Sequence, residues 1–571
     1  MSPRRSGWGT PAQLAGSFLI VAALLGVAWA GRPFRSEPVP TPPAPASIAA
    51  QARAVSVQEQ RQEDRLLAED ARLLRVVGGL RPGSAPYVQT VDGVDTLVLT
   101  PRGIDYGTRD LIRYGAAEQQ GGTLLIGMNV LVAPDARLVV KAPGGQLRLR
   151  SENSGFVSVV AWKAGLVLAG STAKALTVRS WDPERARPDD DPEDGRAYVR
   201  SVSGTMALAD VHATDLGFWA GRTGGVAWTG GSSGPARGQV TDSTFERNHY
   251  GVFASEARGL TVTGSRFTAN AVDGLTLHRG TVATSVRSST ASSNGRNGIS
   301  ADQGSEDVTL TDVTAAGNAD CGVYFSGSPL SDGPSAGGAS LRAYGTVAVL
   351  GGELRGNGRA GVRIVDADHV RIVDAAVEHN RDGVVLVDTA APTTVTGTTI
   401  TGAHRFGITS SGGTATLTGN RIVGGDTPIR VRNATTAVTG NTVEGAVNHG
   451  ISVVGTSVST SVVGNTIAGR GPSGLDLYRL APGVTVDTGR NHVDGWVRDR
   501  DDWTYWSSFI PNHPMLVLWV VILGMPLTLR FRARRGGRTT GTRPYGDDLR
   551  RERPAPTRIS PGRPLPPGRP A

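Results

Sequence analysis

The sequence has few of the residues that cross-link a fold or build a metal or nucleotide site. There is one cysteine among 571 residues, so the chain forms no internal disulfide. This residue, Cys321, lies inside a repeat, where a core role is expected, and the arrangement suits an extracytoplasmic domain stabilised by packing alone. Aromatic residues make up 5% of the chain, so Val, Leu and Ile must build the core. No zinc-type Cys/His spacing, phosphate-binding loop or nucleophile elbow occurs.

Net charge is also absent from most of the chain. The formal charge is +9, and residues 530–571 alone hold 12 Arg and 3 acidic residues, which is the same excess. The basic character therefore belongs to a Pro/Arg-rich tail, and a nucleic-acid role for the folded part loses its main support. We expect residues 532–571 to be a disordered cytoplasmic tail attracted to anionic lipid, whose PxxP phrases offer a docking site for a protein partner.

The abundant feature is a repeated phrase in which an Asn precedes a Gly by four residues and the Gly opens an apolar run. Examples are Asn270-Ala-Val-Asp-Gly274 and Asn294-Gly-Arg-Asn-Gly298. The repeat continues along the chain, with its glycine at Gly322, Gly361, Gly383, Gly407, Gly450 and Gly474. A repeat of this length is typical of a stacked, quasi-one-dimensional architecture.

One repeat, residues 259–280, holds three short β-prone pieces separated by Gly, Ser, Asn and Asp. None is long enough to be a helix, and the alternation has period two. The pattern predicts an all-β protein, a right-handed parallel β-helix over residues 122–495 with neighbouring strands about 4.8 Å apart. The Asn side chains, repeated at one corner, are expected to form an amide ladder. The alternative is an antiparallel sandwich, which the near-constant phase disfavours.

Two hydrophobic segments flank the repeats. Residues 1–31 read as a membrane anchor, or as a signal segment cleaved after Ala28-Trp29-Ala30. Residues 509–531 read as a transmembrane helix, with aromatics at 503–506 on one side and arginines at 530–535 on the other. Because the arginine-rich flank is normally cytoplasmic, we expect a cell-membrane protein whose β-helix is extracytoplasmic.

Between the first hydrophobic segment and the repeats, residues 32–54 are expected to be a Pro/Ala linker and residues 55–121 a helical region. Residues 55–78 show an apolar face made by Leu66, Leu67, Leu73 and Leu74, and Gly78-Gly79 signals the helix end. Two roles remain open for this helix: a stalk, or a cap over the first coil.

A parallel β-helix exposes flat faces on which a linear polymer can meet one side chain per coil. The densest polar group near the repeated glycines comes from three successive coils: His249, Tyr250, Glu256, Asp273, His278, Arg279 and Asp302. Arg279 is a candidate to neutralise a carboxylate, and His249, Tyr250 or His278 to move protons. The alternative interpretation is that exposed strands simply need polar residues.

A second polar cluster is the acidic loop between residues 182 and 194, which includes Asp189, Asp190 and Asp191. Oxygen-rich loops can hold Ca²⁺, so Asp189–Asp191 are a candidate calcium site. The spacing matches no EF-hand, and Arg185 and Arg187 lie within the loop, so a solvated loop is favoured. No other cofactor is indicated.

The segment from about residue 178 to 327 resembles the bacterial β-helix mannuronan C5-epimerases and related carbohydrate-binding β-helix proteins. The phrases that carry the resemblance are SWD (180–182), GRAYVR (195–200), DLGFWAGRTGGVAW (215–228), NHYGVF (248–253), DGLTLHRG (273–280) and NGRNGISADQGS (294–305). The resemblance implies that a polyuronate lies along one face, that Arg279 neutralises its carboxylate, and that proton donors and acceptors flank the C5 carbon. From their place in the coils, Asp273, Asp302, Glu256 and His278 join Arg279 as candidate substrate-binding residues.

The chain departs from this family at one phrase. The epimerases carry Asp-Pro-His-Asp shortly after the Tyr-Gly that corresponds to Tyr250-Gly251, whereas this chain has Phe253-Ala254-Ser255-Glu256. A serine without a partner base is poor at removing a C–H proton. We therefore favour a protein that binds or guides an anionic envelope or extracellular polysaccharide. An active uronate epimerase or lyase, and a scaffold for a membrane polysaccharide-export complex, are the alternatives.

Overall fold

The computed structural model describes residues 45–142, 144–302, 304–328 and 345–499, with side chains from residue 59 onward. The chain winds into stacked coils whose short strands form three parallel sheets along the stack, which we call sheets A, B and C in the order in which each coil visits them. This confirms the predicted right-handed parallel β-helix. Within the described residues, the helices and the antiparallel strands all precede residue 224.

Sheet A consists of Val94–Leu99, Asn129–Val132, Ser158–Trp162, Tyr198–Val202, Gly225–Thr229, Tyr250–Ser255, Leu275–His278, Ile299–Ala301, Cys321–Ser326, Ala360–Val365, Asp382–Thr389, Phe406–Thr418, Ile429–Arg432, His449–Val454 and Ser473–Asp476. Sheet B consists of Arg137–Lys141, Gly165–Ala169, Thr205–Ala209, Arg237–Thr241, Thr261–Thr263, Val282–Arg287, Glu306–Thr311, Val347–Leu350, Val370–Val373, Thr393–Thr396, the second half of Phe406–Thr418, Thr435–Thr439 and Ser461–Val463. Sheet C consists of Thr123–Ile126, Gln146–Glu152, Leu176–Asp182, Val211–Thr214, Thr244–Glu246, Arg266–Thr268, Thr290–Ser292, Thr314–Ala316, Glu353–Arg355, Ala376–Glu378, Thr399–Thr401, Arg421–Val423, Thr442–Ala446, Thr466–Gly471 and His492–Arg498.

The remaining elements of the described part are two helices, Pro45–Gly78 and Thr108–Arg113, a 3-10 turn at Gly221–Thr223, and four short antiparallel strands, Tyr87–Val91, Ala117–Gln120, Gly155–Phe156 and Arg187–Pro188. Tyr87–Val91 pairs with the first strand of sheet A, so β-structure begins well before residue 122. The predicted helical region 55–121 is therefore helical only to Gly78 and again over Thr108–Arg113. Leu111 of the second helix is fully buried in the core cluster, where it closes the first coil.

Inward-facing side chains stack in register from coil to coil. Val252, Leu275, Ile299 and Val323 occupy equivalent positions on successive strands of sheet A. Each is at most 2% exposed. Because burying one such side chain stabilises by roughly 1.5–3 kcal/mol, a long stack gains stability without large aromatic residues. Cys321 is also fully buried, and burial raises the pKa of its thiol to about 12, in keeping with an unreactive structural residue.

The predicted asparagine ladder is present at the corner between sheets C and A. Asn270 Nδ2 donates to Asn294 Oδ1 at 2.9 Å, and Asn294 Nδ2 donates to Asn318 Oδ1 at the same distance. The same bond then joins Asn318 to Asn357 and Asn357 to Asn380. Every amide in the ladder is buried, so these bonds satisfy polar groups that water does not reach.

A second ladder, which the sequence analysis did not identify, lies at the corner between sheets B and C. Asn420, Asn441, Asn465 and Asn491 are linked by amide bonds of 2.9, 3.0 and 3.0 Å. The sequence signal is a Gly-Asn pair that recurs at residues 419–420, 440–441 and 464–465. Because the first ladder ends at Asn380, the structural amides change corners along the stack.

The N-terminal helix begins at Pro45, so residues 45–54 are helical and not part of a linker; residues 32–44 lie outside the described chain. Proline is well tolerated at the first helical position, and the alanines that follow favour the helix. Leu66 and Leu73 of the predicted apolar face are buried, but Leu67 and Leu74 are exposed. Residues one position apart point in different directions around a helix, which explains the split.

This helix lies against the outward face of sheet A. Leu73 and Val76 pack with Val98, Leu131 and Val160, which belong to three successive strands of that sheet. The helix therefore covers the side of the first coils, an arrangement that neither the stalk nor the end-cap interpretation described. The two predicted membrane segments, 1–31 and 509–531, and the tail lie outside the described residues; within the described part no helix is both long and apolar enough to span a bilayer.

Candidate functional site

The candidate residues His278 and Asp302 meet on the outward face of sheet A. Strand alternation directs His278 outward, and Asp302 occupies the equivalent position one coil later. His278 Nδ1 lies 2.6 Å from Asp302 Oδ1, and both side chains are partly exposed. When the ring is neutral and Nδ1 donates to the carboxylate, Nε2 is left with a lone pair for a proton or a ligand hydroxyl.

A row of rings connects His278 to the other two predicted proton-transfer residues. The ring centroids of His249 and Tyr250 are 5.3 Å apart, those of Tyr250 and Phe253 5.8 Å, and those of Phe253 and His278 5.6 Å. Burial lowers the pKa of His249 to about 4, and its Nε2 lies 2.9 Å from the carbonyl oxygen of Trp219. Burial also raises the pKa of Tyr250. Near neutral pH, His249 is therefore neutral and Tyr250 keeps its proton.

Asp273 was expected to contact a substrate, but the structure places it inside the protein. It is 0% exposed, and its carboxylate accepts hydrogen bonds from Arg296 at 2.9 and 2.5 Å. It also accepts from the backbone N–H of Asn297 and from the hydroxyls of Thr276 and Ser300. The hydrogen bonds to Asp273 raise the pKa of Arg296. Asp273 therefore joins two neighbouring coils beneath the site and does not face a ligand.

Arg279 and Glu256 lie at the corner between sheets A and B, just beyond His278. Arg279 Nε is 3.3 Å from Glu256 Oε1, and the Glu256 N–H donates to the Arg279 carbonyl at 2.8 Å. Both residues have positive φ, 37° and 50°, as the sharp corner requires. The charge of Arg279 is thus balanced by a neighbour from the same face, and a ligand carboxylate would have to compete with Glu256.

Beyond His278 the same face and its edge carry a group of arginines that the sequence analysis missed. We call this group the arginine strip: Arg359, Arg363, Arg381, Arg405, Arg430 and Arg432. Within the described residues only Arg359 forms an ion pair, with Asp320 at 3.7 Å. Burial and the nearby cations Arg432, Arg479 and Arg405 lower the pKa of Arg430. Asp382 lies near Arg359, Arg381 and Arg405, and Asp476 lies near Arg430, so part of this positive charge is compensated. The six arginines still outnumber these two carboxylates and Asp320.

The sequence signal for the strip is an arginine close before the repeated glycine, as in the Gly-Arg-Ala-Gly of residues 358–361 and the Arg-Asp-Gly of residues 381–383. Backbone hydrogen bonds place these corner residues on successive coils: the Asp382 N–H donates to Arg359 O, and the Arg405 N–H to Arg381 O. The arginines at the edge thus recur with the coil period.

The acidic loop is not arranged as a calcium site. Asp189 is buried and accepts a 2.6 Å hydrogen bond from Ser151, while burial and the neighbours Asp189 and Asp191 raise the pKa of Asp194 to about 6. Within the described residues no three His, Cys, Asp or Glu side chains are placed to hold one metal ion.

Two family models match parts of the chain. Residues 220–330 match the right handed beta helix region, and residues 335–470 match the periplasmic copper-binding protein (NosD). The second matched segment contains neither cysteine nor methionine. In the described part of this segment no three His, Cys, Asp or Glu side chains are placed to hold one metal ion.

Several solved structures share the architecture at low similarity. The periplasmic alginate epimerase AlgG has 14% identity and a TM-score of 0.45, over 70% of this chain and 85% of that one. The A-module of mannuronan C-5 epimerase AlgE6 from Azotobacter vinelandii has 16% identity and a TM-score of 0.42, over 70% of this chain and 100% of that one. The catalytic unit of a GH87 alpha-1,3-glucanase from Streptomyces thermodiastaticus has 12% and 0.36, over 70% of each chain. No curated protein matches the sequence.

Proposed function

We propose that this protein binds an anionic polysaccharide along the outward face of sheet A. The observation that carries the proposal is the register in which the strands of sheet A pair. Strand pairing aligns Ser255 with His278, and further along the same position aligns Ser326, Val365, Val387, Ser411 and Arg432. One row of outward positions, which we call the outer column, therefore leads from the His278–Asp302 pair to Arg432 of the arginine strip. Arg363 and Arg430 lie in the neighbouring outward row, two positions earlier on their strands.

A repeating polyanion suits this surface better than a compact ligand does. Coils recur about every 4.8 Å, so charges fixed to them recur along a straight line. Arginine binds carboxylates through paired N–H donors, and the strip holds more cations than nearby acids to balance them. The hydroxyls of Ser255 and Ser411, both half-buried in the outer column, are suitable partners for sugar hydroxyls.

The proposed activity is binding without epimerisation. Phe253 and Ser255 point to the outward side of sheet A, whereas Ala254 points into the core. The histidine of the epimerase phrase is thus replaced at an outward position by a serine. One observation favours the enzymatic alternative: His278, oriented by Asp302 and separated from Tyr250 by the Phe253 ring, is a base with a nearby proton donor.

The test uses the full-length protein with polymannuronate, with dextran as the uncharged polymer. We expect polymannuronate to bind and dextran not to bind, and affinity to fall as salt rises. The double variant Arg363→Gln/Arg430→Gln should bind at least about tenfold more weakly. The matched control is Arg266→Gln, an exposed arginine on sheet C. Equal losses in both variants, or equal affinity for the two polymers, would refute the proposal.

The same incubation in D₂O separates binding from catalysis. We expect no deuterium at C5 by NMR. Deuterium that enters with the wild type and is lost in His278→Gln would establish the epimerase or lyase instead.

The wider setting proposed for this function follows from the segments outside the described residues. We propose that segments 1–31 and 509–531 hold the β-helix on the extracytoplasmic side of the cell membrane, with tail 532–571 in the cytoplasm. The flanking aromatics and arginines support this orientation. If the tail docks on a membrane protein, the β-helix would be the polysaccharide-contacting part of an export complex. Retention in the membrane fraction after a high-salt wash, with release only when residues 1–31 and 509–571 are both deleted, tests the anchors.

A further inference from the structure

A cavity lies where the N-terminal helix meets sheet A. Its volume is about 280 Å³, and its walls include Asp70, Leu74, Trp162, Arg200, Arg222 and Ser233. Ligand pockets commonly measure roughly 300–1,000 Å³, so this one suits a single small unit such as one sugar. One wall comes from the helix and the others from three coils, so the cavity exists only while the helix is docked.

Positively charged side chains outnumber negatively charged ones in this cavity. Arg222 donates from Nε and Nη2 to the same oxygen of Asp70, at 2.9 and 2.5 Å, and Arg200 Nη1 is 3.7 Å from the other oxygen. The single carboxylate of Asp70 thus balances the guanidinium groups of both Arg222 and Arg200. The neighbouring Glu69 is paired with Arg72 at 2.7 Å, and its charge acts on Arg200 less strongly than that of Asp70 does. Burial, the largest cause, lowers the pKa of Arg200, as expected for a cation with incomplete compensation.

The cavity and the proposed binding face share one line of residues. Strand pairing aligns Trp162 with Val202, Val202 with Thr229, and Thr229 with Ser255, whose partner is His278. Four coil steps of about 4.8 Å separate Trp162 from His278, or roughly 19 Å. On the far side of the cavity the helix covers the face, because Leu73 and Val76 occupy the outward side of the first strands. A polysaccharide lying on the outer column is therefore blocked at this point by the N-terminal helix.

We propose that this cavity binds the terminal sugar-acid unit of the anionic polysaccharide, so that the protein holds the polymer by its end. The inference rests on the proposed function and deepens it. Arg200 and Arg222 would receive the terminal carboxylate, the Trp162 ring would contact the apolar face of the sugar, and Ser233 would meet a hydroxyl. The remainder of the polysaccharide would run past His278 toward the arginine strip.

End recognition differs from internal binding in how many proteins one polymer carries. With an end-specific site, one polymannuronate chain binds one protein whatever the chain length. With a groove open at both ends, the number bound grows with length. Analytical ultracentrifugation of the full-length protein with short, medium and long polymannuronate fractions measures this number.

Two variants address the cavity itself. Arg222→Gln removes one cation from a partly exposed position, and Ser233→Phe fills the space without removing charge. Each should weaken binding of a short oligomannuronate about tenfold. The matched control for the second is Thr172→Phe, in a similar exposed turn between sheets B and C. Circular dichroism melts check that each variant is folded.

The outcomes separate the two proposals. Constant stoichiometry with loss of affinity in both variants supports end binding. Stoichiometry that grows with length, or variants that bind as the wild type does, overturns end binding and leaves the proposed function intact. A wild type that binds no polymannuronate of any length overturns the proposed function, and the end-binding inference with it.

Discussion

His278 and Asp302 occupy equivalent outward positions on neighbouring coils, and Nδ1 of the histidine lies 2.6 Å from Oδ1 of the aspartate. The pairing follows from the coil period, because residues 24 apart in sequence are brought side by side. A carboxylate on Nδ1 determines which ring nitrogen carries the proton and therefore what the exposed edge of the imidazole offers to a ligand.

The first prediction concerns this tautomer. In the wild type, neutral His278 should carry its proton on Nδ1, because the carboxylate accepts from that atom. Asp302→Ala should shift the population toward the Nε2–H form usual in free imidazole, and ¹⁵N NMR of labelled histidine reads the difference. His369→Ala, which removes an exposed histidine elsewhere, identifies unrelated signals. An unchanged His278 spectrum in Asp302→Ala would show that the contact does not order the ring.

The second prediction concerns acid stability. Burial holds the pKa of His249 at about 4 in the folded protein, against a reference value of 6.5. Between these values the unfolded chain takes up a proton that the folded protein refuses, so the free energy of unfolding falls as pH drops from 6.5 to 4. The slope from this residue approaches about 1.4 kcal/mol per pH unit.

His249→Gln should flatten this part of the profile, because the amide can still donate to the Trp219 carbonyl but does not titrate. Urea titrations at several pH values measure the slope. The control is His379→Gln, an exposed histidine at the end of a sheet C strand. If wild type and His249→Gln lose stability in parallel, His249 is not the responsible group.

The third prediction concerns the buried carboxylate beneath the site. Asp273→Ala removes the acceptor of hydrogen bonds from Arg296, Asn297 and Ser300. Leaving such donors unsatisfied should cost roughly 3 kcal/mol of unfolding free energy. Asp302→Ala, which removes a partly exposed carboxylate, should cost less than about 1 kcal/mol. Denaturant melts compare the two, and a small effect of Asp273→Ala would mean that the coils are joined here by other contacts.

The fourth prediction concerns the asparagine ladder. Asn318 donates to Asn357 Oδ1 and Ala291 O and accepts from Asn294, all in buried positions. Asn318→Ala should destabilise the protein by about 3 kcal/mol, because partners on both neighbouring coils lose their bonds. Asn153→Ala is the control, since this asparagine lies in an exposed turn. Equal melting temperatures for the two variants would contradict a stabilising role for the ladder.

The repeating phrase was sufficient to predict the coil, the sheet type and the first ladder. Asn270 and Asn294 recur at the spacing of one coil, and a fixed spacing in sequence becomes a fixed neighbour in space once coils stack. The same reasoning brings His278 to Asp302. It did not predict the second ladder at Asn420, because that ladder occupies a different corner, nor the start of the β-structure at Tyr87, which is an antiparallel hairpin outside the repeat.

By itself the sequence determined what depends on period: the parallel stack, its apolar core, and the placing of His249, Tyr250, His278 and Asp302 on one face. Only the tertiary structure decided what depends on contacts across sheets and across long sequence separations. It buried Asp273 beneath Arg296, paired Arg279 with Glu256, and docked the N-terminal helix so that Asp70 meets Arg222, 152 residues away. No local spacing encodes such contacts, because they arise from the packing of one element on the side of another.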